Sequence, residues 1–279
     1  MILVTGATGC LGRLVAELID GVWAPARQDL DMERPEDLVR IICRKKPRVI
    51  VHAGAWTDVD GCEREPDRAF RVNWLATRAI ASAAIKCEAT LIYISTDYVF
   101  DGSKPIYYEH DEPNPVNVYG KTKLWGEREA LRVPESYVVR TSWVFGPGGR
   151  SFLSAFLDMA AAGKPLTVIN DQVSRPTYAP HLASLLMDFV RARLPFGIYH
   201  LAGATDATYL DFVSRGLEIA GLKAELRPVS SSELRRPARR PSRSSLSSEA
   251  YAVFTGKAIP PWEETIEEYV EWWRASRES

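Results

Sequence analysis

The sequence predicts an α/β chain built on a doubly wound parallel sheet, and three observations carry that expectation. Short, near-continuous apolar runs alternate with stretches of helical periodicity as far as about residue 146, the pattern of strands buried on both faces and joined by crossover helices. The first run, Ile2 to Thr5, passes directly through a glycine loop into an amphipathic helix. At 279 residues, 46% hydrophobic and 25% charged, the chain can also bury the core of one large domain or of two tightly joined ones.

Composition excludes several function classes. A formal net charge of −1 leaves no global field to concentrate nucleic acid or an anionic membrane, so any bound anion must be met locally. Cys10, Cys43, Cys62 and Cys87 show no Cys-x-x-Cys spacing in a chain long enough to need no disulfide staples, and a reduced, cytoplasmic setting is expected. Met1 runs into a strand without a basic leader, and no apolar run approaches a membrane span. A soluble chain without a signal peptide is therefore expected, with no membrane or nucleic-acid partner.

Taken in order, the loop is Gly6-Ala7-Thr8-Gly9-Cys10-Leu11-Gly12, and the helix after it runs through Leu14, Val15, Leu18 and Ile19. Glycines let the backbone turn sharply and approach a pyrophosphate, while a helix N-terminus supplies free N–H donors. Gly6, Thr8, Gly9, Cys10, Leu11 and Gly12 are accordingly expected to bind a dinucleotide, making the sheet Rossmann-type. The spacing is Gly-x-x-Gly-x-x-Gly, not the commoner Gly-x-Gly-x-x-Gly, and a glycine turn with no ligand is the competing reading.

A short strand is expected around Val22 to Ala26, ending at Arg27 and Gln28. An acid here would bind ribose hydroxyls, whereas an arginine suits a 2′-phosphate. Arg27 thus points to NADP(H) as the preferred cofactor with NAD(H) second, against the alternative of an arginine in solvent. Asp31, beside Met32, is placed to accept from the adenine amino group or to end the strand.

Pro35 to Lys45 reads as a helix with Leu38, Ile41 and Ile42 inward, and Pro47 to His52 as a strand ending in Ala53, Gly54 and Ala55, small enough for a cofactor to lie across them. His52 reads as a strand-end histidine with a local partner. A long helix, Asp67 to Lys86, carries Asn73 among apolar neighbours, either structural or part of a proton relay. The strand Leu91 to Ile94 leads to Thr96, and Tyr137 to Arg140 is a further strand ending at Thr141-Ser142-Trp143.

If Tyr119 opens a helix, Lys123 lies one turn on and on the same face. A free phenol has a pKa of about 10, and a neighbouring ammonium is expected to lower it, making a proton-transfer site in which the Thr96 hydroxyl holds a substrate carbonyl oxygen. The competing reading of an isolated Tyr-x-x-x-Lys is a solvated helix face.

These motifs resemble the extended short-chain dehydrogenases/reductases and, within them, the dTDP-4-dehydrorhamnose reductase family. The resemblance covers nearly the whole chain: the Gly6/Gly9/Gly12 loop, Leu30-Asp31, residues 53–60 with Glu63, Val72-Asn73, residues 95–102, residues 117–123, residues 140–146, Asn170-Asp171-Gln172, Pro176-Thr177, and Arg240-Pro241 with Ser244 and Leu246. It implies that Tyr119 gives a proton to the C4 oxygen of a dTDP-linked 4-keto-6-deoxysugar, that Thr96 hydrogen-bonds that oxygen, and that Lys123 holds the nicotinamide ribose. Ala53, Gly54 and Ala55 complete the cofactor contacts, and Val59, Tyr98 and Trp143 the sugar pocket. The chain departs from the family at Gly54 and Trp56, and a different pocket shape near the nicotinamide and the sugar is expected there. Dehydratases of the superfamily carry an acid where Tyr98 stands. No metal is assigned, and a homodimer is a further expectation.

The resemblance also implies a smaller, discontinuous C-terminal domain: residues 1–146 and 178–202 bind the dinucleotide, and residues 147–177 and 203–279 the substrate. After Pro147-Gly148-Gly149 come the helix Phe152 to Ala162, the strand Leu166 to Ile169, the helix Leu182 to Ala192 and the strand Gly197 to Leu201, which the family returns to the main sheet. The basic run from Arg235 to Arg243 lacks the aromatic interleaving of a nucleic-acid patch; some of its arginines, Arg240 among them, are expected on the sugar diphosphate, against the competing reading of a flexible loop. A helix from Trp262 to Trp273 closes the chain. Two other functions stay open: an epimerase or dehydratase that retains its NAD, and a non-catalytic subunit resembling the regulatory subunit of methionine adenosyltransferase.

Overall fold

The computed structural model describes residues 1–148, 151–191 and 194–278. Gly149 of the expected turn and Ala192, the expected end of a helix, lie outside the described residues. The main sheet is parallel throughout, in the order β1 (Ile2–Thr5), β2 (Val49–His52), β3 (Thr90–Thr96), β4 (Ser136–Thr141) and the strand Gly197–His200. Alternation along each strand decides what it buries. Leu3, Ile50, Leu91, Tyr93 and Val138 face the helices α2 (Pro35–Lys45) and Ala76–Cys87. Val4, Val51, Ile92, Ile94 and Val139 face α1 (Cys10–Glu17) and the helix Ala179–Val190.

The strand expected at 22–26 shrinks to one bridge, Leu3 to Trp23, in which the Val4 N–H donates to the Trp23 carbonyl at 3.0 Å. Pro25 has no N–H to extend the ladder. The chain nevertheless goes out to this edge of β1 and crosses back to β2 on its other side. The carboxyl ends of β1 and β2 therefore flank the switch point, where ligands of doubly wound sheets bind.

The long helix begins at Pro66 and ends at Cys87, with a π-helical stretch at Phe70–Leu75. There the Asn73 side chain donates to the Trp56 carbonyl and the Thr122 hydroxyl, each at 3.1 Å, and accepts from the Trp56 N–H at 2.8 Å. It ties the loop after β2 to the helix Val118–Ala130.

Toward the C-terminus a separate apolar cluster gathers Leu153, Leu157, Phe212, Ile266 and Trp273 from the helices Phe152–Ala161, Tyr209–Ala220 and Trp262–Glu278, with Phe145 from the short strand Val144–Phe145. The helix Ala179–Val190 starts earlier than periodicity suggests because Pro180 suits a first turn. The strand Leu166–Ile169 pairs in parallel with Leu226–Val229, a segment that Pro228 disguises in the sequence. Among the described residues no helix is long and apolar enough to cross a membrane.

Candidate active site

One cavity of about 830 Å³ opens over the ends of β1, β2, β3 and β4. At its floor Gly6 takes φ 70°, a left-handed conformation natural to glycine, and a Cβ there would meet the Gly54 nitrogen at 2.6 Å. The Gly6 and Gly54 backbones are thus in contact, and no side chain stands between them and a ligand. Gly9 precedes α1 without any side-chain cap, so the first N–H groups of the helix remain available to an anion. A narrow glycine cradle under a helix N-terminus fits a pyrophosphate. Gly6, Thr8, Gly9, Cys10, Leu11, Gly12, Ala53, Gly54 and Ala55 all line this cavity.

Arg27, Asp31 and Met32 line one end of it. The Arg27 side chain is 68% exposed and donates to Glu33 Oε1 at 2.5 Å. Glu33 Oε1 also accepts from Arg68 Nη2 at 2.9 Å, and the Arg68 guanidinium lies 4.5 Å from the centre of the Trp56 ring. Two guanidinium groups and two carboxylates, Glu33 and Asp31, therefore share this rim, Asp31 Oδ1 lying 3.8 Å from Arg27 Nε. Asp31 Oδ1 accepts from the Glu33 N–H at 3.0 Å, which closes the turn after the Trp23 bridge. Arg68 is absent from the sequence expectations because it reaches this rim from the long helix after β2, and Glu33 because only its neighbours Asp31 and Met32 are placed there.

At the other end stand Thr96, Tyr119 and Lys123. Asn117 caps the helix Val118–Ala130 by accepting from the Gly120 N–H at 2.8 Å, and this start puts Tyr119 and Lys123 on one buried face. Lys123 Nζ donates to the Ile94 carbonyl at 2.7 Å and lies 4.1 Å from the centre of the Tyr93 ring. Burial pulls its pKa down to about 7, against the opposing pull of Glu127. The expected lowering of the Tyr119 pKa by Lys123 is not what the structure gives. Burial pushes the phenol well above its ordinary value; the Thr96 hydroxyl opposes this, Asp97 and Cys62 add to it, and the Lys123 ammonium is engaged on the Ile94 carbonyl.

His52 matches the plain reading. Its ring nitrogens lie 2.7 Å from Thr5 Oγ1 and 3.1 Å from Thr77 Oγ1, and burial first, then Lys123, holds its pKa down at about 3.

Val59, Tyr98 and Trp143 also line the cavity. The Tyr98 ring meets Tyr119 edge-on at 6.0 Å, and Val59 packs on the pair. Trp143 sits at φ 40°, costly for a bulky residue, on the order of 1–3 kcal/mol. Its ring stacks on Tyr209 at 3.9 Å and meets Phe152 at 5.7 Å. Tyr209 was not anticipated, although Thr208-Tyr209-Leu210-Asp211 is a capping box that marks the start of a helix.

Arg240 is engaged by a partner of its own. It is absent from the cavity lining, and its guanidinium is held by both carboxylate oxygens of Asp60, at 2.6 and 2.9 Å. The residue beside Val59 thus holds the arginine that was assigned to the diphosphate. Among the described residues no group of three or more His, Cys, Asp and Glu side chains is arranged for a metal ion.

The family model described as RmlD substrate binding domain matches residues 1–274. The dTDP-4-dehydrorhamnose reductase of Mycolicibacterium smegmatis is 36% identical over 279 aligned residues, which span 96% of this chain and 84% of that protein. The crystal structure of dTDP-4-dehydrorhamnose reductase from Bacillus anthracis in complex with NADP is 30% identical, with a TM-score of 0.92 over 96% of this chain and 97% of that one. A dTDP-4-dehydrorhamnose reductase structure from Clostridium acetobutylicum is 33% identical, with a TM-score of 0.93 over 98% of this chain and 99% of that one.

Proposed function

Because the chain belongs to the RmlD substrate-binding-domain family, whose relatives above are dTDP-4-dehydrorhamnose reductases, we propose that it reduces dTDP-4-dehydrorhamnose to dTDP-L-rhamnose with NADPH, and with NADH as the second cofactor. The observation that carries this reading is a single cavity lined by the glycine loop at one end and by Thr96, Tyr119 and Lys123 at the other. The nicotinamide, when bound, supplies the hydride. The chain's own residues do the rest. The glycine loop and α1 take the pyrophosphate, Ala53, Gly54 and Ala55 make room for the ribose, and Arg27, Asp31 and Met32 meet the adenosine end. Lys123 holds the nicotinamide ribose, Thr96 and Tyr119 meet the keto oxygen, and Val59, Tyr98 and Trp143 surround the deoxysugar.

The division into a dinucleotide-binding part, 1–146 with 178–202, and a sugar-binding part, 147–177 with 203–279, belongs to the same proposal. It is supported by the return of Gly197–His200 to the main sheet and by the separate cluster around Phe212. A cytoplasmic homodimer completes the reading, the half-exposed Trp125 packed with Phe70 and Trp74 offering an aromatic face. The test is turnover of a panel of dTDP-4-keto-6-deoxysugars with NADPH, with product stereochemistry read by NMR. Purification with stoichiometric, tightly held NAD and no net consumption of NADPH would instead make the enzyme an epimerase or dehydratase.

Trp143→Ala should raise KM for the nucleotide sugar roughly two- to tenfold, the worth of one aromatic contact, while the NADPH Kd hardly moves. A change in Kd without a change in KM would move Trp143 to the cofactor end. Arg27→Ala should lower kcat/KM for NADPH and spare NADH. An exposed guanidinium already paired with Glu33 makes the expected factor about three to ten, shrinking with added salt. Equal losses with both cofactors would place Arg27 outside the 2′-phosphate contact.

A further inference from the structure

Asp97 is a carboxylic acid 2% exposed, next in sequence to Thr96, and the reading above gives it no task. Its two oxygens have different surroundings. Oδ1 accepts from the Thr96 hydroxyl at 3.1 Å. Oδ2 accepts from the Ser174 hydroxyl at 3.2 Å and from that of Ser244, both buried and both reaching in from the C-terminal half of the chain. The Tyr98 N–H meanwhile donates to Thr96 Oγ1 at 3.2 Å.

A threonine hydroxyl has a single hydrogen. While Asp97 is ionised it can only accept, so it takes that hydrogen, and Thr96 shows the cavity nothing but a lone pair. Once Asp97 is protonated the direction reverses. Protonation at Oδ1 leaves both serine hydroxyls donating to Oδ2, whereas protonation at Oδ2 would turn the Ser244 hydroxyl to Ser174 Oγ at 3.2 Å and the Ser174 hydroxyl to the Ser244 carbonyl at 3.4 Å, both long contacts, so Oδ1 is the place for the proton. That proton points at Thr96 Oγ1, and the Thr96 hydrogen is released toward the cavity. We infer that Asp97 is the positioning residue that decides whether Thr96 donates a hydrogen bond to the keto oxygen of the substrate. Two donors, Thr96 and Tyr119, then converge on the oxygen that gains charge. The inference rests on the proposed reading of Thr96 and Tyr119.

The surroundings suit such a switch. Burial raises the Asp97 pKa to about 6, with the Ser244, Thr96 and Ser174 hydroxyls pulling the other way. The titratable groups facing it are the phenols of Tyr98, Tyr119 and Tyr209, all held above their ordinary range by burial. Arg240, which acts on Tyr98 and Tyr209, is itself bound by Asp60. Lys123 titrates close by, at about 7, so a pH profile alone cannot assign the group.

The test is the cost of Thr96→Val on the single-turnover rate, measured at about pH 5 and about pH 8, because a titration of Lys123 affects both enzymes and cancels in their ratio. In the parent the cost should be about a hundredfold at the acid pH, the worth of one preorganised donor, and should fall to a few-fold at the alkaline pH. In the Asp97→Asn background the amide donates to Thr96 permanently, and the cost should be the same at both. Infrared difference spectra of parent against Asp97→Asn should show a protonated carboxyl band that disappears over the same pH range. Should Asp97→Asn not fold, Ser174→Ala with Ser244→Ala removes two donors to the ionised carboxylate and should move the transition to higher pH. A cost independent of pH in the parent, one still dependent on pH in Asp97→Asn, or an unmoved transition in the double serine variant would overturn the inference. A parent that reduces none of the dTDP-4-keto sugars would instead overturn the reading beneath it.

Discussion

Tyr119→Phe is expected to slow the chemical step by roughly 10²–10⁴-fold, the usual worth of a general acid, and to leave the NADPH Kd within about threefold. The variant removes one buried oxygen and keeps the ring that packs against Tyr98, so the pocket retains its shape. Burial holds the phenol above its ordinary value, and at neutral pH Tyr119 therefore keeps its proton. That is the state a reduction requires, because the keto oxygen must be protonated as it becomes an alcohol. A forming alkoxide is a far stronger base than a phenolate, so even a reluctant phenol gives up its proton downhill. Single-turnover absorbance at the nicotinamide band gives the rate, and fluorescence titration gives the Kd. A loss under tenfold would remove Tyr119 as the acid, and a parallel loss of NADPH binding would make its role structural.

Much of this site was legible because its residues lie in short local motifs. The Gly6/Gly9/Gly12 loop must follow a strand and open a helix, and the spacing of Tyr119 and Lys123 fixes their common face once Asn117 caps the helix. What escaped is built from long-range pairs. Glu33 meets Arg68 across 35 positions, Asp97 meets Ser244 across 147, and Asp60 takes Arg240 across 180. No periodicity announces such a partner. Arg240 shows the consequence, since chemistry alone assigned its guanidinium to a phosphate and could not foresee a carboxylate already in place. The Tyr119 pKa failed for a related reason. Helical spacing puts a cation near the phenol, but the depth of burial and the Ile94 carbonyl that captures the cation are properties of the assembled fold.

The largest expected loss of stability lies one helical turn beyond Lys123. Glu127 and Arg140 form an ion pair whose side chains are both 2% exposed, with Arg140 Nη2 donating to Glu127 Oε2 at 2.7 Å and Arg140 Nε to Oε1 at 2.9 Å. Ser95, the neighbour of Thr96, donates to the same Oε1 at 2.5 Å. One carboxylate therefore joins the helix that carries Tyr119 and Lys123 to both β3 and β4. Taking two charges out of water is expensive, so the intact pair adds little net stability, but removing one partner leaves the other buried and uncompensated. Arg140→Met should cost about 3–5 kcal/mol in chemical denaturation. Glu127→Met with Arg140→Met should recover most of that loss, because no lone charge remains. The recovered protein should still reduce substrate slowly, since Ser95 has lost its acceptor and Lys123 the carboxylate that opposes its loss of charge. The parent's Lys123 is protonated below about pH 7 and the double variant's only at lower pH, so the part of the activity deficit due to Lys123 should be largest between the two values and close as pH rises above about 7. A double variant no more stable than Arg140→Met would show that the pair contributes through packing and not through charge compensation.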